Sequence, residues 1–306
     1  MGRIIVAGSS NIDMTAYVKS LPRPGETIGG GRFMQANGGK GANQAVAAAR
    51  LGGDVLFLTC VGDDMQGRML KDVFEADGID TGCMKFTDSV PTGTALIFVA
   101  EDGENCIAVA PGANKLLLPS DMDAASGEFS GAEYLLVQLE IPAETVYHAI
   151  DLASSNGVRP VLNPAPFSDE IPVEVLSKLW LITPNETEAE KLTGIRIENV
   201  DDAANAARFL MEQGVRNVII TLGSAGSLVC TDTICELVPA RKVTAIDTVG
   251  AGDVYNGALV TALAEGRDII EAARFATAAS SIAVTRAGAQ TGVPHRSEVD
   301  EIINNK

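Results

Sequence analysis

Tyr134-Leu135-Leu136-Val137-Gln138, Arg159-Pro160-Val161-Leu162-Asn163, Leu179-Trp180-Leu181-Ile182-Thr183 and Asn217-Val218-Ile219-Ile220-Thr221 are four short apolar runs in the second half of the chain. Each has the length of a strand, and none alternates with polar residues, as expected of strands covered on both faces. Amphipathic segments separate them, such as 201–213 with Ala203, Ala206, Ala207 and Leu210. Strand–helix alternation of this kind gives a mostly parallel central sheet with right-handed crossovers and helices on both faces. Upstream, Arg3 to Gly8 and Val55 to Cys60 read as two more strands, with Ala45, Val46 and Ala49 at helical spacing between them. The fold class is therefore three-layer α/β, in a single domain over 1–306.

Two stretches depart from this pattern. Thr94-Ala95-Leu96-Ile97-Phe98-Val99 and Cys106-Ile107-Ala108-Val109 flank the polar turn Glu101-Asp102-Gly103-Glu104-Asn105, which marks a hairpin. Together with β-like pieces between Thr15 and Phe33, this predicts a small β-sheet lid, from segments at about 14–35 and 92–110, that projects from the main body.

Hydrophobic residues make up 46% of the chain and aromatics only 5%, so aliphatic side chains must build the core. The net charge of −17 argues against nucleic acid and anionic membrane as partners, since both require a basic face. A phosphate site on such a chain is expected to use backbone N–H groups, helix N-termini and a metal ion. No run approaches the ~18 apolar residues of a membrane span. The run Arg3-Ile4-Ile5-Val6 is too brief for a signal peptide, so a cytoplasmic location is expected. In that compartment the five cysteines read as reduced thiols.

The strongest chemical signal is Asp247-Thr248-Val249-Gly250-Ala251-Gly252-Asp253, a Gly-Ala-Gly turn leading into a helix with Val254, Ala258, Leu259, Ala262 and Leu263 on its apolar side. Successive N–H groups at the positive end of a helix can hold an anion. Asp253 then lies beside that hole. Alone it could be a helix-stabilising acid; paired with an anion hole, it is what phosphoryl transfer to an alcohol requires. Asn37-Gly38-Gly39-Lys40-Gly41-Ala42-Asn43-Gln44 combines glycines with a helix start. It is not a P-loop, because Gly41 follows Lys40 and Met34 stands where the leading glycine belongs. Thr183-Pro184-Asn185-Glu186-Thr187-Glu188 reads as a capped helix start, and Asn185 with Glu188 could also hold Mg²⁺ through water. Thr221-Leu222-Gly223-Ser224-Ala225-Gly226 is a strand-closing turn open to backbone contact with a nucleotide.

Taken in order, with Asn163-Pro164-Ala165-Pro166 and Ala283-Val284-Thr285-Arg286-Ala287-Gly288-Ala289-Gln290, these segments resemble the ribokinase branch of the phosphofructokinase-B-type carbohydrate kinases. The resemblance runs from Gly8 to about Arg296 and implies a Rossmann-like three-layer fold with a β lid that often pairs between subunits, hence a homodimer. It implies ATP-dependent phosphorylation of D-ribose at the 5-hydroxyl, with fructose, deoxyribose or a nucleoside as alternative acceptors. A sugar-binding regulator without catalysis is the rival of another class. The implied sugar site is Asn11, Asp13, Gly39, Lys40, Asn43, Glu140 and Asp253, with Asp253 as base and Gly250, Ala251 and Gly252 as anion hole. ATP contacts fall on Asn185, Thr221, Gly223, Gly226, Gly252 and Thr277. A monovalent-cation site, usually for K⁺, would draw on Asp247 and the backbones of Val249, Ala283, Arg286, Gly288 and Gly292. Two positions depart from the pattern: Asn37 replaces a commonly apolar residue, and Thr277 stands where His or Asn is usual.

Overall fold

A computed structural model describes residues 2–167 and 171–304. Its strands, in chain order, are β1 (Arg3–Ala7), β2 (Asn11–Val18), β3 (Arg32–Gly38), β4 (Asp54–Leu58), β5 (Cys60–Gly62), β6 (Lys85–Thr87), β7 (Gly93–Ala100), β8 (Asn105–Ala110), β9 (Ala132–Val137), β10 (Arg159–Leu162), β11 (Leu181–Ile182), β12 (Val218–Thr221), β13 (Gly226–Cys230) and β14 (Cys235–Pro239). The main sheet has the order β14-β13-β12-β11-β10-β9-β1-β4. It is parallel from β4 to β12, and its far edge is the antiparallel hairpin β13–β14.

The strand period of two divides the core between the sheet's two faces. Ile4, Val6, Val55, Phe57, Leu136 and Ile219 pack on one side. Ile5, Ala7, Leu56, Leu58, Leu135 and Ile220 pack on the other. Each fully buried side chain of this kind stabilises the fold by about 1.5–3 kcal/mol. On the first face the helix Ala251–Ala264 is buried nearly all round, not only along the apolar side expected from Val254 to Leu263. The cause is its position between Lys40–Arg50 and Ile269–Ala283. Gly257 permits the closeness: a Cβ there would fall 2.6 Å from the Gln44 carbonyl oxygen. This contact brings the first turns of two helices, more than 200 residues apart in sequence, to one place.

The second sheet has the order β3-β2-β7-β8 and is mixed, with β2 and β7 parallel. Its strands run further than the expected segments. β2 begins at Asn11 and β3 ends at Gly38, so Asn11 and Asp13 belong to this sheet and not to a turn after β1. Phe33, Leu96, Phe98, Ile107 and Val109 are exposed on it.

One expectation is corrected. Cys230 and Cys235 form a disulfide and are not free thiols. They face one another at the end of the β13–β14 register, with Cα atoms 4.1 Å apart. Cross-strand neighbours at a hairpin end sit at that spacing, so the hairpin itself delivers the two sulfurs to each other. Cys60, Cys83 and Cys106 are free.

Candidate active site

Asp253 sits at the third position of the helix Ala251–Ala264 and is buried, although the adjacent Gly252 is exposed. Both carboxylate oxygens are held. Gln44 Nε2 donates to Oδ1 and Asn43 Nδ2 to Oδ2, each at 3.0 Å. Burial pushes the Asp253 pKa up, while the Lys40 charge and the two amide donors pull against it. Burial wins, so the carboxylate has more affinity for a proton than an exposed one.

The helix caps at Gly250, whose φ of 75° is left-handed and whose Cβ would fall 2.9 Å from that of Ala289, so only glycine suits the position. The helix therefore begins within the Gly-Ala-Gly turn. Ala251 N–H donates to Thr248 O at 3.2 Å. Gly252 and Asp253 N–H, in the first turn, have no intrahelical acceptor and remain as donors. A Cβ added to Gly252 would meet nothing within 4 Å, so the turn is open on that side.

Lys40, Glu140, Asp13 and Glu188 gather around Asp253. Burial would lower the Lys40 pKa, but the charges of Asp253, Glu140 and Glu188 outweigh it and hold the ammonium above its usual range. Asp13 is pushed up to about 6, first by burial and then by the charges of Glu140 and Asp253. A Cβ on Gly38 would fall 2.3 Å from the Asp13 carboxylate, so glycine makes room for it. Glu140 Oε2 accepts from Ser9 Oγ at 2.6 Å and from Lys40 N at 3.0 Å. Asn11 Oδ1 accepts from Asn114 Nδ2 at 2.7 Å. Asn43 Oδ1 is buried and has no hydrogen-bond partner among the described residues, an acceptor directed into a site already crowded with oxygen. Gly39, with φ of 92°, caps the helix that carries Lys40 and Asn43.

Asn185 is the helix cap its sequence suggested. Its Oδ1 accepts from Glu188 N at 2.8 Å, and Glu188 Oε2 accepts from Asn185 N at 2.9 Å. One Glu188 oxygen stays outside this box, and burial raises the Glu188 pKa more than the nearby Lys40 lowers it. Thr221 bridges Asn185 at the end of β12. Gly223 and Gly226 take positive φ in the turn that follows. Thr277 is buried in the helix Ile269–Ala283, and its hydroxyl has no partner among the described residues.

Asp247 ties the loop before the Gly-Ala-Gly turn to the loop after Ala283. Oδ1 accepts from Val249 N at 3.0 Å and Oδ2 from Gly288 N at 2.8 Å. A Cβ on Gly292 would lie 3.2 Å from the Ala283 carbonyl oxygen and 3.8 Å from that of Arg286, so these carbonyls converge where Gly292 leaves space. An all-oxygen set of carbonyls with one nearby carboxylate fits a hard monovalent cation. The Arg286 side chain itself pairs with Glu298.

Sequence reading passed over a second tier of amides. Gln44 Nε2 also donates to Asn163 Oδ1, and Gln44 Oε1 accepts from Gln138 Nε2 at 2.6 Å. Asn163 Nδ2 donates to Thr183 O; Thr183 Oγ1 donates to Asn256 Oδ1; Asn256 Nδ2 donates to Gly252 O. This buried chain links the ends of β9 and β10 to both Asp253 and the Gly-Ala-Gly turn. The available signal was Gln44 itself, an amide in an alanine-rich helical face where an apolar residue would pack.

Residues 1–296 match the pfkB family carbohydrate kinase pattern. The chain is 42% identical over 302 residues to a ribokinase of Haemophilus influenzae, covering 99% of this chain and 98% of that protein. It is 38% identical over 301 residues to a deoxyribokinase of Salmonella typhi, covering 98% of each. It superposes with a TM-score of 0.94 on Arabidopsis thaliana ribokinase complexed with ribose and ATP, at 30% identity and covering 99% of this chain and 98% of that one. The chain belongs to the pfkB family of carbohydrate kinases and is a carbohydrate kinase.

Proposed function

We propose that this kinase transfers the γ-phosphoryl group of ATP to the 5-hydroxyl of D-ribose. The observation that supports it most is the gathering of Asp13, Lys40, Asn43 and Glu140 around Asp253, in the first turn of the helix that begins at Gly250-Ala251-Gly252. Asp13, Glu140, Asn11 and Asn43 supply acceptors and donors for the ring hydroxyls and leave the primary hydroxyl to Asp253. Asp253 takes the hydroxyl proton as the phosphoryl group arrives, and the helix N-terminus holds the equatorial oxygens. Lys40, its ammonium surrounded by three carboxylates, offsets negative charge between sugar and phosphate. Thr221, Gly223, Gly226 and Thr277 border the nucleotide in this reading. Asn185 and Glu188 would hold Mg²⁺ through water, which would neutralise the phosphates. Asp247 with the carbonyls of Val249, Ala283, Arg286, Gly288 and Gly292 would hold K⁺, which would order the turn carrying the anion hole.

The test is ADP release over a panel of ribose, 2-deoxyribose, fructose and nucleosides, in KCl and in potassium-free Tris at matched ionic strength. Ribose should give the highest kcat/KM, and K⁺ should activate far more than Na⁺. A higher value for 2-deoxyribose, favoured by the deoxyribokinase relative, would move the acceptor. Equal rates with and without K⁺ would remove the cation from the reading.

The chain is read as one kinase domain in the cytoplasm, with the β3-β2-β7-β8 sheet as its lid. Leu96, Phe98, Ile107 and Val109 on β7 and β8 are too apolar for an uncovered sheet. A homodimer joined there is expected, and light scattering at micromolar concentration should give twice the 31.9 kDa chain mass. A monomeric mass would refute it.

A further inference from the structure

At the opposite end of the parallel strands from the candidate active site lies an open cavity of about 430 Å³. Arg159 at the start of β10, Arg216 just before β12 and Arg267 in the loop before the helix Ile269–Ala283 all line it, along with Trp180 and Tyr134. Three guanidinium groups at one cavity stand out on a chain with net charge −17.

Two of the three are held in place. The Arg159 guanidinium lies 5.2 Å from the Tyr134 ring centre and 5.6 Å from that of Trp180, and Nη1 donates to Tyr134 Oη at 2.6 Å and to Glu133 at 3.1 Å. Arg267 stacks over Phe275 at 4.7 Å and pairs with Glu265 at 2.9 Å. A purely structural role covers these two. It does not cover Arg216, which is exposed and has no ion pair or side-chain hydrogen bond among the described residues. The lining also includes two carboxylates. Glu133 is paired with Arg159, and Asp268 accepts from Glu271 N at 2.8 Å as a helix cap, so neither is an uncommitted charge.

We propose that this cavity binds an organic phosphate, separately from the kinase site. The phosphate would engage Arg216, with Arg267 and Arg159 completing the positive surround, and the organic part would lie against Trp180. Guanidinium forks match phosphate oxygens in geometry and charge. The volume falls within the range of small-molecule sites. Nothing in this assignment depends on which sugar the kinase takes.

Trp180 is the only tryptophan in the chain, so its fluorescence reports on this cavity directly. Inorganic phosphate, ribose 5-phosphate and AMP are titrated at fixed ionic strength into wild type and into R216A. The organic phosphates should give a saturable change with a midpoint near or below ~1 mM, and inorganic phosphate a midpoint about tenfold higher. R216A should weaken the organic phosphates about tenfold or more, the usual consequence of losing a charge-assisted contact. Because Arg216 lies at the far end of β12 from Thr221, that loss separates this cavity from a signal relayed by nucleotide in the kinase site. No saturable change up to ~10 mM, an unchanged midpoint in R216A, or inorganic phosphate binding as tightly as AMP would each overturn the proposal.

Discussion

Asp253→Asn is expected to lower kcat by about 10²–10⁴-fold, the usual weight of general-base catalysis, and to leave the fold intact. The substitution is nearly isosteric, but it exchanges one acceptor oxygen for an NH₂ facing a donor. At Oδ1 the donor is Gln44, which is locked by Asn163 and Gln138. At Oδ2 it is Asn43, whose own Oδ1 has no other partner among the described residues. A flip of the Asn43 amide would therefore satisfy the new NH₂ without disturbing the rest of the network. Removing a buried carboxylate whose pKa burial already raises also lifts a desolvation cost, so thermal stability should hold. ATP binding should change little. A pure variant that kept more than roughly a third of wild-type kcat would pass the base role to another group.

The fold was readable because its strands are covered on both faces. Runs such as 218–220 and 135–137 are wholly apolar, so no polar residue confuses the period. The limits of the smaller sheet were harder to read. Asn11, Asp13 and Asn37 are polar residues inside strands, so the alternation suggested a later start and an earlier end than β2 and β3 have. Asp253 and its turn were legible since a glycine-rich helix start is a local pattern. Gln44 was quoted in its motif but given no role, because its partners Gln138, Asn163 and Asp253 are 94 to 209 residues away and only packing reveals them. The Cys230–Cys235 bond was missed for the opposite reason. Compartment argued for thiols, whereas five-residue separation across a tight hairpin placed the sulfurs together. The arginine-lined cavity escaped notice because Arg159 and Arg216 come from separate strand starts and Arg267 from a loop between helices, and all three dissolve into a strongly acidic total.

Asp13→Ala is expected to raise KM for ribose by about 10²–10³-fold while KM for ATP moves less than about threefold. A carboxylate that accepts from sugar hydroxyls makes charged hydrogen bonds of about 1.5–3 kcal/mol each, and two such bonds reach that range. The same residue sets a pH signature. Its pKa, about 6, is raised by burial and then by Glu140 and Asp253. Below that value Asp13 is protonated and loses acceptor capacity, so sugar affinity should fall as pH drops through about 6 and level off above it. Turnover would mix this with the titration of Asp253, so the sugar dissociation constant is better measured in Asp253→Asn. There one of the charges that raises Asp13 is gone, and the midpoint should move somewhat lower. Adding Asp13→Asn to that background should flatten the dependence, because no carboxylate remains at position 13 to titrate. Affinity for 2-deoxyribose should be poorer than for ribose at every pH in the parent, since a buried acceptor left without its hydroxyl is costly. A ribose KM within threefold of wild type in Asp13→Ala would take Asp13 out of the sugar site and leave the grip on the ring to Glu140, Asn11 and Asn43.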